Sequence, residues 1–305
     1  MEVETTSFHS DHSDQSDQSD QVDQADYSDR LVGAHLSTAG GLNKGVDRAV
    51  AIGANALQIF AGSPRSWQVK PIIAKELQEF RQYAKNHGVR EIFIHSLYLI
   101  NLASPNKELV QKSKNNLVHQ LKLGGFFGCA GVVVHLGSHL GRGWESCRQD
   151  TALLIKRILA ESDGSVPLLI ENSAGQKGKL TSDLSEIRWL LDEVDHPNLG
   201  WCYDTCHGWA AGYSPSQGID VLQKIGQLEL WDTLRCLHVN DSRDELASGR
   251  DRHDNILEGK IPQADFQQIL NHPEMKKVPI ITEAPGFDGK GPDKQNIEAI
   301  LSLLD

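Results

Sequence analysis

The chain has 305 residues, 39% of them hydrophobic and 23% charged, with a formal net charge of −11. That composition belongs to an ordinary soluble globular protein, long enough for two average domains or one large α/β barrel. No apolar run approaches the length of a membrane-spanning helix and no Lys/Arg-led apolar stretch opens the chain, so neither a membrane span nor a secretory signal is expected, and the expected location is cytoplasmic.

In chain order, the first feature is acidic. Residues 1–30 hold nine acids (Glu2, Glu4, Asp11, Asp14, Asp17, Asp20, Asp23, Asp26 and Asp29) against Arg30 alone. Of the −11, this segment carries −8 and the other 275 residues only −3. The low overall charge therefore does not argue against a nucleic-acid partner for the body of the chain. The stretch "SDHSDQSDQSDQVDQADYSD" is a low-complexity Asp-x-x repeat with too little apolar surface to offset its ordering entropy. It reads as a disordered, solvating tail of residues 1–30, ahead of a single domain at 31–305.

From residue 31 onward, short apolar runs alternate with helical patterns. The predicted strands are 31–35, 56–60, 91–95, 131–135, 167–171, 199–204, 234–241 and 278–283. Between them lie helices such as "AKELQEFRQYAKNHG", closed by a Gly stop, and "TSDLSEIRWLLDEV", where Asp183 and Glu186 have capping-box spacing. Strands alternating with helices imply a parallel sheet, and eight such units over this length predict an α/β (β/α)8 TIM barrel. An open doubly wound sheet is the competing architecture, but "GAHLSTAGG" is a poor phosphate loop. The cysteines (Cys129, Cys147, Cys202, Cys206 and Cys236) are odd in number, irregularly spaced and without a Cys-x-x-Cys pair. This argues for a reducing compartment and against a disulfide framework or zinc ribbon. Cys202 and Cys206 could serve as metal ligands but read first as small buried residues.

The predicted strand ends carry the chemistry. His35, His95, His135, Glu171, Asp204, His238 and Glu283 stand at or near the ends of seven strands, and a parallel barrel gathers those ends on one face. Two loops add Asp204-x-x-His207 and Asp251-x-His253. Buried carboxylates need compensating cations, and a metal is the fitting one. The candidate donors are His95, His135, Glu171, Asp204, His207, His238, Asp251, His253 and Glu283. Imidazoles mixed with carboxylates suit zinc, or manganese or iron, better than magnesium or calcium. Nine donors are too many for one tetrahedral zinc and too few to close three sites without sharing, so positions would stay open for water or substrate. Four carboxylates facing three dications leave about +2 locally, a site for an anion such as phosphate. The residues alone thus point to metal-dependent phosphoester hydrolysis, with Glu171, His135, His95, Asp204 and Glu283 at its centre.

Several stretches together, "GAHLSTAGGL", "HSLYLINLASP", "VVVHLGSHLG", "LLIENSAGQ", "YDTCHGWAAGY", "LHVNDSRDELASGRDRHDNILEGKI" and "ITEAPG", give residues 31–305 a clear likeness. The chain resembles the endonuclease IV family, zinc-dependent apurinic/apyrimidinic endonucleases of base-excision repair. The resemblance implies three zinc ions: His95, His135 and Glu171 on the first, Glu171 shared with Asp204, His238 and Glu283 on the second, and His207, Asp251 and His253 on the third. It implies that hydroxide generated at zinc attacks the phosphorus 5′ to an abasic deoxyribose, leaving a 3′-hydroxyl and a 5′-deoxyribose phosphate, and that blocked 3′ ends are also trimmed. Arg65, Tyr98 and Leu99 match positions that enter the duplex at the lesion. Without the resemblance, Tyr98 and Leu99 read as core residues and Arg65 as a solvated loop charge. Lys177, Lys179, Arg250 and Arg252 are candidate phosphate contacts. The partner implied is double-stranded DNA with abasic sites or blocked 3′ ends, bound by a monomer. Leu136 and Leu97 depart from the family pattern, and neither is a donor. A two-metal sugar isomerase is the rival among enzymes, but has no use for the Asp251-x-His253 arm. A non-catalytic lesion or zinc binder is the rival outside enzymes, and would not need open metal positions.

Overall fold

The computed structural model describes residues 29–69, 71, 73–176 and 178–305. The tail at 1–28 and Lys177 therefore lie outside the described residues. Eight parallel strands close into a barrel: β1 (Val32–His35), β2 (Ala56–Phe60), β3 (Glu91–His95), β4 (Gly131–Val134), β5 (Leu168–Glu171), β6 (Leu199–Asp204), β7 (Leu234–His238) and β10 (Ile280–Thr282). Each strand pairs with its predecessor in the barrel, and β10 closes the ring on β1 through Val32↔Ile280.

The outer layer holds α1 (Leu42–Ala51), α2 (Ala74–Asn86), α3 (Lys107–Phe127), α4 (Arg148–Glu161), α5 (Leu184–Val194), α7 (Val221–Gln227), α8 (Gln263–Leu270) and α9 (Lys294–Ser302). The short α6 (Thr205–Ala210) follows directly on β6. Among the described residues no helix is long and apolar enough to cross a membrane. Strands of a parallel barrel are buried on both faces, which is why they read as near-continuous apolar runs. One set of their side chains joins the helices in the main core, including Leu57, Ile94, Val132, Ile170 and Trp201. The alternate set forms a separate plug: Ala56, Phe93, Val133, Leu169, Cys202, Cys236 and Ile281. Because side chains alternate along a strand, the next residue but one beyond each plug position stands above it at the barrel mouth. Those positions are Gln58, His95, His135, Glu171, Asp204, His238 and Glu283.

Three predicted strands start late, at Val32, Leu168 and Ile280, and three C-terminal ends needed correction. β4 ends at Val134 and β10 at Thr282, so His135 and Glu283 lie just beyond their strands, where the chain turns into loop. β7 ends at His238 rather than continuing to 241. Asp241–Ser242 (β8) instead pairs antiparallel with His253–Asp254 (β9), a hairpin that the sequence did not announce. It leaves the barrel after β7 and carries Asp251 and His253 back over the mouth. The Asp183/Glu186 pair also differs from a reciprocal capping box. Asp183 accepts from Ser185 N, but Glu186 Oε2 accepts from Thr181 N at 2.6 Å instead of from its cap.

Burial, with Asp183 and Glu145 nearby, pushes the Glu186 carboxyl up to about 7, against the bond from Thr181 N. A carboxyl with a raised folded pKa binds its proton more tightly folded than unfolded. Stability then falls as pH rises through that window, and the cost is fully present above it. Glu186→Gln should therefore raise Tm more at about pH 8 than at about pH 5. Thermal melts of the two proteins at both pH values check this; an equal Tm difference at both would contradict it.

Candidate metal centre

Glu171, fully buried at the end of β5, is the hub of the mouth. Its Oε2 lies 3.2 Å from both His95 Nε2 and His135 Nε2. Its Oε1 lies 3.1 Å from His238 Nδ1 and 3.3 Å from His207 Nδ1. One carboxylate thus meets four imidazoles, with two on each oxygen. Burial disfavours its charged form, but the imidazoles of His135, His238 and His207 outweigh this and hold it well below the usual carboxylate range.

The spacing Asp204-x-x-His207 has a local cause. Asp204 is the N-cap of α6, and its Oδ1 accepts from His207 N at 2.8 Å. Capping turns the first helical turn so that the third residue's ring swings back over the cap. His207 Nδ1 accordingly sits 3.7 Å from Asp204 Oδ1. The close approach of α6 to β6 requires Gly208, because a Cβ there would lie 2.1 Å from the Tyr203 hydroxyl. From the hairpin arm, Asp251 Oδ1 reaches His207 Nε2 at 3.1 Å and His253 Nε2 at 3.4 Å. Asp204 Oδ2 lies 3.8 Å from His253 Nε2 and 3.9 Å from His238 Nδ1, so it stands between two parts of the cluster.

Among the described residues, three adjoining groups of ligand-type atoms, each within 4.8 Å internally, take in the nine predicted donors: His95, His135 and Glu171; Glu171, Asp204, His238 and Glu283; and His207, Asp251 and His253; Cys206 also lies within that distance of Asp204 and His253. All nine predicted donors are brought together. Whether they suit metal ions can be judged from unused donor atoms. Among the described residues, His207 Nδ1 and His253 Nε2 are buried and make no hydrogen bond, although they face Glu171 Oε1 at 3.3 Å and Asp251 Oδ1 at 3.4 Å. A cation between each nitrogen and its facing carboxylate would satisfy both. Burial lowers the His135 pKa to about 4, against the pull of Glu171 and with help from His207 and His95. It is thereby kept in the neutral form that ligates metals. Four carboxylates with imidazole nitrogens make a donor set for zinc, manganese or iron.

Gln58, Asn172 and Asn240, uncharged polar residues that the sequence reading missed, hold these groups together with His35. Gln58, fully buried on β2, donates to Glu283 Oε1 at 2.6 Å, while its Oε1 is 2.9 Å from His238 Nε2. His35 Nδ1 lies 2.7 Å from Glu283 Oε1. Asn240 donates to Asp204 Oδ2 at 2.6 Å and accepts from Glu283 N at 2.7 Å. Asn172 brackets Asp204 by accepting from its N at 2.6 Å and donating to its O at 3.0 Å. The one available signal was a glutamine inside the apolar run "ALQIF", where an unpartnered amide would be expensive.

A cleft of ≈1320 Å³ opens above the groups, with Arg65 and Tyr98 on its wall. Tyr98 is 60% exposed, its ring edge-on to Phe60 at 5.3 Å. The core placement that its sequence context alone suggests is overturned, because the loop after β3 turns outward here. Leu99 is half-buried and packs against the core. Arg250 and Arg252 are exposed beside the hairpin and share Asp244, at 3.2 and 3.8 Å. Lys179 is half-buried and near enough to His135 to oppose its protonation. All five cysteines are free and buried.

Comparison with known proteins agrees with this architecture. Residues 46–305 match the family model described as "Xylose isomerase-like TIM barrel". A protein of Halothermothrix orenii named "Probable endonuclease 4" is 37% identical over 88% of this chain and 98% of its own length. One of the same name from Methanoculleus marisnigri is 35% identical over 90% and 98%. The crystal structure of endonuclease IV from Thermus thermophilus superposes with a TM-score of 0.76 at 31% identity, covering 90% of this chain and 98% of that one. With likeness of this extent running through the whole barrel, the chain belongs to the endonuclease IV family.

Proposed function

We propose that the protein is a DNA-repair endonuclease that hydrolyses the phosphodiester bond 5′ to an abasic site, using three zinc ions. Manganese or iron suits the same donors. The observation that carries this reading is the set of nine donors in three adjoining groups, joined through Glu171, on the floor of a cleft walled by an arginine and an exposed tyrosine. His95, His135 and Glu171 would hold the first ion, Glu171, Asp204, His238 and Glu283 the second, and His207, Asp251 and His253 the third. When bound, such ions lower the pKa of coordinated water and stabilise charge on phosphate oxygens.

The chain's own residues do the rest. Hydrolysis forms a bond from a water oxygen to phosphorus and breaks the bond to the 3′ oxygen, giving a 3′-hydroxyl and a 5′-deoxyribose phosphate. Glu171 fixes four imidazole rings around itself. Asn172, Asn240 and Gln58 fix Asp204, Glu283 and His238, so the donor array is set before substrate arrives. Tyr98 and Arg65 occupy the wall where a duplex lacking one base leaves a gap, and Leu99 braces the same loop from the core side. Extruding a nucleotide costs least where the base is missing, which favours abasic sites over intact DNA. Arg250, Arg252, Lys177 and Lys179 would meet phosphates and set register without reading sequence. Blocked 3′ ends present the same phosphoester and would be trimmed. The protein would act as a monomer in the cytoplasm, at the nucleoid. A sugar isomerase shares the barrel, but a small substrate gives no role to a third donor group on a hairpin or to an exposed aromatic wall.

The test is a duplex carrying one tetrahydrofuran abasic analogue, which cannot undergo β-elimination. Metal-replete protein should cut 5′ to the lesion and leave a 3′-hydroxyl; no cut would sink the proposal. Tyr98→Ala should raise KM about ten-fold with little change in kcat or Tm, matching about 1–3 kcal/mol for a stacking aromatic. An unchanged KM would remove Tyr98 from the substrate wall.

A further inference from the structure

Directly beneath the candidate metal centre, Cys202 and Cys236 stand side by side in the barrel floor. They are registered partners on β6 and β7, and both are fully buried. Each lies two residues before a donor on its own strand, Asp204 and His238. Ligand atoms of Cys202, Cys236 and His238 all lie within 4.8 Å of one another. The rest of this layer is hydrocarbon, from Ala56, Phe93, Val133, Leu169 and Ile281.

Buried cysteines commonly serve as small packing residues. Two of them converging on an imidazole do more, because they form a soft donor set. We propose that Cys202, Cys236 and His238 make a second metal site, for a thiophilic divalent cation such as cadmium(II), under the carboxylate-rich centre. Thiolates select soft ions, whereas the carboxylates and imidazoles above suit borderline ones. Charge favours the location too: two thiolates neutralise a dication, so the complex brings no net charge into an apolar layer. Binding forms two metal–sulfur bonds and one metal–nitrogen bond, and releases the two thiol protons to solvent. His238 belongs to both layers. A soft ion held by sulfur draws that ring from its place 3.1 Å from Glu171 Oε1, and so disables the upper centre. Only this last coupling rests on the nuclease reading.

Cadmium chloride titrated into the full-length protein should produce a saturating ultraviolet charge-transfer band of cadmium thiolate. The band should be lost in Cys202→Ala and in Cys236→Ala, and kept in Cys129→Ala and Cys147→Ala. Persistence in either floor variant overturns the site. X-ray absorption at the cadmium edge covers the case in which those variants fail to fold, because it uses the unaltered chain. Two sulfur neighbours support the site, and a shell of oxygen and nitrogen alone overturns it. Incision should also become less sensitive to cadmium in Cys236→Ala. A sulfur shell in a protein that cuts no abasic duplex contradicts the nuclease reading alone, while cutting without a sulfur shell contradicts only the soft site.

Discussion

Glu171→Gln should reduce incision at an abasic site by at least about 10³-fold, the scale of removing one well-placed electrostatic group from a reaction centre. The glutamine keeps the side chain's size, so the change separates charge from packing. Each Glu171 oxygen meets two imidazoles, and the side chain has no exposure through which water could compensate. Removing the charge of a buried pair leaves its partners uncompensated, a loss of about 3–5 kcal/mol. The variant should therefore also bind less metal, most clearly in the two groups that share Glu171. Metal content by elemental analysis beside incision rates checks the prediction. A variant with full metal content and activity within about ten-fold of the parent would show that Glu171 does not join the groups.

Gln58→Met should lower metal affinity or activity by about 10–100-fold, the range for groups that orient a ligand without being one. Methionine fills a similar volume, but it cannot donate to Glu283 or offer an oxygen to His238 Nε2. The ring of His238 would lose the partner that sets its tautomer and tilt. A merely structural role would move Tm and leave metal affinity alone. The expected result is the reverse: weaker metal binding with little change in Tm. Equal affinity in a metal-competition titration would assign Gln58 to packing.

Both predictions lean on features of unequal visibility in the sequence. Glu171 ends the run "PLLIE", where an acid closing an apolar strand is conspicuous, and the same holds for Asp204 and for the histidines. Gln58 sits inside "ALQIF" and looks like a lapse in a buried strand until Glu283 and His238 are seen beside it. Tyr98 is harder still, since "HSLYLIN" gives no sign of which residue turns outward. Its exposure is a property of the loop after β3. The hairpin at 241–254 also escaped notice, because strands of two residues have no periodicity to detect.

What the sequence determined by itself was whatever is local or repeats along the chain. Alternating apolar runs and helical patterns gave the barrel, the strand-end residues supplied the candidate donors, and the Asp-x-x repeat concentrated most of the net negative charge in residues 1–30. The tertiary structure decided what depends on convergence. His35 and Glu283, 248 positions apart, meet because closing the sheet brings the first and last strands together. Pairing of β6 with β7 placed Cys202 against Cys236, with His238 within reach of both. Backbone geometry along one strand says which residue types stand in line, and strand pairing together with closure of the barrel says which of them touch.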